Sequence, residues 1–187
     1  KGVITEKTQE LDKLTQNYHR SKSRLESLVN ITERYDGYGN SIRKIMELKD
    51  SNPGILGVIA DIIKVEKQYE TAIETALGGT IQNIVTDKEN TAKELINYLK
   101  VNKLGRATFL PLNAIHSRNT LENDNCINEK GVVGVASNLV RVSFEYEGLA
   151  KYLLGRILVV DNIENALVIA RKYKYSLRIV TLEGEQL

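Results

Sequence analysis

One cysteine, two histidines and no tryptophan in 187 residues leave little material for the commoner site chemistries. Cys126 alone can build neither a disulfide framework nor a cysteine-rich metal cluster, and such sparing use of cysteine points to an intracellular setting. His19 and His116 have no second histidine, cysteine or carboxylate at ligand spacing, so each reads as a solvated side chain. No apolar run approaches the roughly 20 residues that span a bilayer, and the opening residues do not form a signal-peptide pattern; a soluble, cytoplasmic protein without membrane contact is expected. The glycine-bearing strings at 54–61 and 77–80 match neither the phosphate loop nor the dinucleotide fingerprint. Asp87 and Asp161 each stand just before a predicted helix, where an aspartate caps free amides, and that role is preferred to catalysis. No catalytic residue, metal or cofactor is expected.

What is present begins with a heptad seam. Ile4, Leu11, Tyr18, Leu25 and Thr32 fall at position a, and Lys7, Leu14, Ser21, Leu28 and Tyr35 at position d. A helix gains most of its stability from packing, so this stripe requires a returning arm or a second chain. The chain lacks an initiator methionine and stops at Leu187 just after a predicted strand, RIVTL at 178–182, which predicts a portion of something longer.

The net charge of +2 is small, but the bases are segregated. Lys13, Arg20, Lys22 and Arg24 occupy an acid-free stretch of the arm. Lys100, Lys103, Arg106 and Arg118 occupy a second between Leu95 and Leu121. Arg171, Lys172, Lys174 and Arg178 occupy a third between Asn165 and Leu182. Such patches suit a polyanion, although lysine and arginine also gather at helix ends to complement the dipole.

After the arm, Gly37 and Gly39 break the helix and SNPG at 51–54 turns the chain. A strand is predicted at 55–63, a helix through Tyr69 and Leu77 ending at Gly78-Gly79, a strand at 81–85, a helix through Ala92 and Leu99, and a strand at 106–112. Residues 111–131 are polar, contain five asparagines and read as a surface loop; GVVGVA at 131–136 resumes strand character. YETAIETALGG at 69–79 then aligns without gaps to YEGLAKYLLGR at 146–156. Each string leads through a strand to an aspartate, a helix and a further strand, the mark of a duplicated unit. The boundaries are therefore arm and junction 1–50, subdomain I 51–110, polar loop 111–131 and subdomain II 132–187. Gly78, Gly79 and Gly155 end helices in this reading, and glycines at matching places also permit close backbone approach across a symmetric interface.

The succession of G-x-L-G-x-x-A-D, Y-E-x-A-I-E-x-A-L-G-G, L-G-R-A-T-F-L-P-L, G-V-A-S-x-L-V and Y-L-L-G-R-x-x-V-V-D, spread over 54–187, resembles the hinge domain of structural maintenance of chromosomes (SMC) proteins of the bacterial chromosome-condensation type. The resemblance implies an α/β fold of two pseudo-repeated mixed subdomains, preceded by one long coiled-coil helix that pairs with a returning arm absent from this chain. It implies a homodimer joining two arms into a V or ring, contact with single- or double-stranded DNA near the arm junction, nucleoid association, and an ATPase head elsewhere in the parent protein. The glycine-rich segment that follows R-I-V-T-L-E-G in the family lies beyond Leu187. With these implications the expected dimer interface is Leu77, Gly78, Gly79, Leu153, Leu154 and Gly155. The expected DNA contacts are Arg20, Lys22, Arg24, Lys64, Lys67, Lys100, Lys103 and Arg106. The rival expectation is a coiled-coil dimerisation adaptor with no nucleic-acid role.

Overall fold

Gly2–Arg34 form a single helix, α1, about 50 Å long at 1.5 Å per residue. The computed structural model describes residues 2–116 and 118–187, the side chains of 31–34 excepted, so the seam residue Thr32 falls outside the described side chains. Ile4, Leu11, Leu14, Tyr18 and Leu25 are 61% to 74% exposed, leaving the stripe uncovered in the single chain. Tyr35, counted into the seam by heptad spacing, leaves it. The helix has ended, and the ring is 3% exposed within the globular core.

A short helix, α2 (Asn40–Met46), leads into the first half: β1 (Ile55–Val58), α3 (Ile59–Ile62), β2 (Lys64–Val65), α4 (Glu70–Leu77), β3 (Ile84–Thr86), α5 (Glu89–Val101) and β4 (Phe109–Pro111). The second half runs β5 (Val132–Val135), β6 (Val140–Arg141), α6 (Glu147–Leu154), β7 (Ile157–Val160), α7 (Ile163–Lys172) and β8 (Arg178–Thr181). The two sheets repeat one design. In the order β1-β3-β4, β3 is antiparallel to β1 and parallel to β4; in β5-β7-β8, β7 bears the same relations. Both antiparallel pairs carry a register shift before a glycine, at Ile55/Gly57 and Val132/Gly134. The duplication expected from the two aligned strings is thus a duplication of topology.

The halves meet at a short antiparallel ladder of β2 and β6, with Lys64 opposite Arg141 and Val65 opposite Val140. The shift along the chain that carries Ile55 onto Val132 also carries Lys64 onto Arg141, so this pair sits on the pseudo-two-fold axis. Beneath it lies a shared core: Ile59, Ile73, Leu77 and Val85 from the first half, Leu149, Leu154, Val159 and Val180 from the second. Each half has a further core of its own. Ile45, Met46, Ile55, Leu95 and Leu99 gather around Tyr35 in the first, and Leu158, Ile169 and Ile179 around Leu121 and Cys126 in the second.

Two sequence expectations change here. The β-branched run 55–63 is a strand only to Val58, because the amide of Ile63 bonds the carbonyl of Ile59 at 2.9 Å and makes one helical turn. That turn puts Ile59 and Ile63 on one face, both buried. The segment 111–131 is not merely a surface loop, since Leu121 and Cys126 are each 1% exposed and plug the second core. Single apolar residues among polar neighbours leave no periodic trace for sequence reading to follow.

Candidate functional site

The arm meets the domain through a set of specific contacts. The Tyr35 hydroxyl donates to the Asp61 carboxylate on α3, and the Tyr35 ring stands edge-on to Tyr38 with centroids 5.2 Å apart. Ser27 on α1 donates to Asp50 at 2.9 Å. Ser41 on α2 donates to the carbonyl of Arg106 at 2.6 Å, tying the element after the arm to the loop beyond α5. A buried aromatic anchor, two hydroxyl bonds and an apolar cluster hold α1, α2 and the first sheet together. Sequence reading missed Tyr35 as an anchor; its one trace was a pair of tyrosines bracketing Gly37.

Lys100, Lys103 and Arg106 converge beside that junction. They line a groove of ≈ 570 Å³ with Ile96, Leu99 and Gly105 at the end of α5, and none of the three cations has a carboxylate partner among the described residues. All three are exposed. Lys103 has φ 52, with its amide bonded to Lys100 and that of Leu104 bonded to Leu99, a left-handed helix cap of the kind glycine usually makes. Arg20, Lys22 and Arg24 are exposed on α1. Four-residue spacing puts Arg20 and Arg24 on one face, while Lys22 lies nearly opposite, so the arm trio does not form one patch. Lys64 and Lys67 are exposed near the pseudo-two-fold axis, where Lys64 lines a separate groove with Lys49 and Asp61. Arg141, facing Lys64, is paired with Glu66 at 2.5 Å. The eight expected bases thus fall into separate groups, of which Lys100, Lys103 and Arg106 is the convergent one.

The expected interface residues also separate. Leu77 and Leu154 are 7% and 0% exposed inside the domain's own core, so they are not free to cover a partner. Gly155 ends α6 at φ −69, and a Cβ there would stand 2.4 Å from the Lys151 carbonyl oxygen and 2.7 Å from Thr120, so it serves close packing against the loop. Gly78, at φ 54, ends α4, and both Gly78 and Gly79 face open space. Leu153 is half-buried. The strands that follow these glycines, β3 and β7, are central in their sheets. Gly78, Gly79 and Leu153 are what remains available to a second copy.

Asp87 and Asp161 are not the caps expected of them. The cap positions belong to Lys88 and Asn162, one residue later. Asp87 accepts from the Thr91 hydroxyl at 2.5 Å and the Lys88 amide at 2.7 Å; Asp161 accepts from the Asn165 side chain at 2.9 Å and the Asn162 amide at 2.7 Å. Each carboxylate fastens a strand-to-helix turn against a glycine, Gly54 or Gly131, where a Cβ would collide. The Thr91 hydroxyl, with the neighbouring amide and Lys88, holds the Asp87 carboxyl below its ordinary range. Among the described residues no cluster of three metal-ligating side chains occurs, and no helix is long and apolar enough to cross a membrane.

These features define a class: a pseudo-symmetric α/β domain fastened to the end of one long helix with an uncovered heptad stripe. The model of the SMC proteins' flexible hinge domain matches residues 52–170. The chromosome partition protein Smc of Clostridium kluyveri is 38% identical over 189 residues, covering 98% of this chain and 16% of that protein; that of Bacillus subtilis is 36% identical over 172 residues, covering 91% and 14%. The chain thus spans only about a sixth of the length of these relatives. Among solved structures, the Geobacillus stearothermophilus SMC hinge domain, an asymmetric dimer, superposes with a TM-score of 0.79 at 38% identity, covering 95% of this chain and 71% of that one. The Pyrococcus furiosus SMC hinge domain superposes at 0.65 with 34% identity, covering 88% and 84%. The chain belongs to the SMC hinge family.

Proposed function

We propose that this domain is the homodimerisation hinge of a chromosome-partition ATPase, joining two coiled-coil arms into a V or ring. Its likeness to the Geobacillus hinge, which was solved as a dimer, carries this reading. The uncovered heptad stripe supports a returning arm. In this reading the hinge performs no catalysis itself, the ATPase head sits at the far end of the arm, and the protein works in the cytoplasm on the nucleoid. DNA contact is electrostatic and without base preference, centred on Lys100, Lys103 and Arg106 beside the arm junction. Arg20, Lys22, Arg24, Lys64 and Lys67 add weaker contacts around it.

Sedimentation equilibrium and DNA titration at several salt concentrations test the two halves of the proposal. Gly78→Glu with Gly79→Glu should shift the mass toward monomer while the fold survives; an unchanged mass removes those glycines from the interface. Reversing Lys100, Lys103 and Arg106 to glutamate should lower DNA affinity and flatten its salt dependence without changing mass. Each lost phosphate contact removes about 0.9 from the slope of log K against log salt on duplex DNA. An adaptor with no nucleic-acid role predicts no salt-sensitive binding at all.

A further inference from the structure

The end of α7 repeats three backbone bonds of the end of α5. At α5, Asn102 bonds the Tyr98 carbonyl, Lys103 bonds Lys100 and Leu104 bonds Leu99; at α7, Tyr173 bonds Ile169, Lys174 bonds Arg171 and Tyr175 bonds Ala170. Lys100 therefore corresponds to Arg171 and Lys103 to Lys174. Both lysines hold the left-handed conformation, at φ 52 and 53. A lysine there costs more than the usual glycine, so its presence at both helix ends is not explained by cap geometry. Dipole complementation is satisfied by a base in the last turn, where Lys100 and Arg171 already stand, and does not call for a strained lysine beyond it.

The two ends differ in one residue. Leu104 is half-buried, as the residue after such a cap normally is, whereas Tyr175 also adopts a positive φ, 56, and is 60% exposed. The turn continues here, with the Ser176 amide and hydroxyl both bonding the Tyr173 carbonyl, at 3.1 and 2.7 Å, and its two left-handed residues leave a cation and an aromatic ring toward solvent. The other two bases of this stretch are engaged, Lys172 with Glu129 at 2.5 Å and Arg178 with the Ala76 carbonyl at 2.8 Å. Arg171 and Lys174 are exposed and have no carboxylate partner among the described residues.

We propose that Arg171, Lys174 and Tyr175 form a second nucleic-acid contact, in which the two cations hold successive backbone phosphates of a single strand and Tyr175 stacks on an unpaired base. The proposal rests on the reading that this hinge contacts DNA, and extends it from the junction in subdomain I to the matching helix end in subdomain II. A ring displayed beside two unpaired cations is what a single strand uses and a paired duplex does not, since only the former offers a free base face.

The test is fluorescence anisotropy of a labelled single-stranded oligonucleotide of mixed sequence, and of the same strand annealed to its complement, over a salt series. Lys174→Gly removes the charge and relieves the backbone, so it should raise the melting temperature while weakening single-strand binding; a cap-only role predicts the rise without the loss. Arg171→Gln combined with Lys174→Gly should weaken binding roughly 10-fold and reduce the salt slope by about 1.4, two contacts at 0.7 each on single strands. Tyr175→Ala should lower single-strand affinity by about 5- to 100-fold with the slope unchanged and the duplex little affected. Unchanged single-strand affinity and slope in the Arg171/Lys174 variant would overturn the proposal, as it would if this patch docks an acidic protein instead. The Lys100, Lys103 and Arg106 reversal run alongside separates the failures. If it alone abolishes binding, the second contact falls and the junction reading stands; if the unaltered protein binds no DNA, both fall.

Discussion

Replacing Tyr35 by phenylalanine removes one oxygen from the joint between arm and domain. The ring is 3% exposed and packs in the first core, so Tyr35→Phe keeps the apolar contacts and removes the donation to Asp61. A hydrogen bond to a charged acceptor is worth about 1.5–3 kcal/mol. Asp61 is only partly buried and recovers some hydration when the donor is lost, which puts the expected cost near the lower end, about 1.5 kcal/mol. For a chain of this size that corresponds to roughly 3–6 °C in melting temperature. Urea denaturation followed by far-ultraviolet circular dichroism measures the cost, and amide hydrogen exchange locates it: amides in the last turns of α1 should exchange faster, those of β3 should not. Asp61→Asn and the double variant complete a cycle whose coupling should reach about 1 kcal/mol. Stability within 0.3 kcal/mol of the parent, or coupling near zero, would refute the anchor, since a partly buried carboxylate that loses its hydroxyl donor should not be neutral.

Three further outcomes follow from the same geometry. Gly155→Ala should cost about 1–3 kcal/mol because the new methyl meets the Lys151 carbonyl and Thr120, whereas Gly79→Ala, in open space without a positive φ, should be neutral or slightly stabilising; thermal melts compare them directly. Leu121→Ala should cost about 2–5 kcal/mol by emptying its place against α7, although the residue lies in a segment that reads as a polar loop. Glu129 accepts from Lys172 and from the Tyr173 hydroxyl, and these bonds hold its carboxyl below the ordinary value of 4.5. A depressed carboxylate contributes stability above its unfolded pKa and loses it as pH falls through the folded one. The same bond raises Lys172 above 10.5, so its contribution is lost only as pH climbs past that range. Melting temperatures of the parent and Glu129→Gln should therefore differ between about pH 5 and 10 and converge under acid; a constant gap down to pH 2 would exclude this linkage.

The chain showed its halves plainly because duplication leaves a linear trace. Tyr69 and Tyr146, Leu77 and Leu154, and Asp87 and Asp161 recur in order, and a strand-helix-strand rhythm around them leaves few ways to fold. What stayed hidden was set by three-dimensional neighbours. Leu77 stands next to the open glycines in sequence, and Leu154 and Gly155 hold the matching place in the second half, yet all three face inward because α4 and α6 pack against each other across the pseudo-two-fold axis. Leu121 and Cys126 have no periodic companions and are recruited by the empty side of α7. The basic groups were legible as acid-free stretches, but helix direction decides which bases converge. Lys100, Lys103 and Arg106 meet at one helix end, while Lys22 turns away from Arg20 and Arg24.

The relative strengths of the arm's two attachments bear on how such a joint would carry load. The five exposed seam residues Ile4, Leu11, Leu14, Tyr18 and Leu25 would each gain about 1.5–3 kcal/mol on full burial against a partner helix. Even half of that, summed along the stripe, exceeds the roughly 1.5 kcal/mol assigned to the Tyr35 hydroxyl. A returning arm would therefore outweigh that one bond in setting the direction of α1, while the buried Tyr35 ring and the apolar cluster around it still hold the junction. Tyr35 bonds Asp61, on the single helical turn that leads directly into β2 and its ladder with β6. One hydrogen bond and one turn of helix thus connect the end of the arm to the pseudo-two-fold axis, beside the apolar packing of Tyr35 on the first sheet.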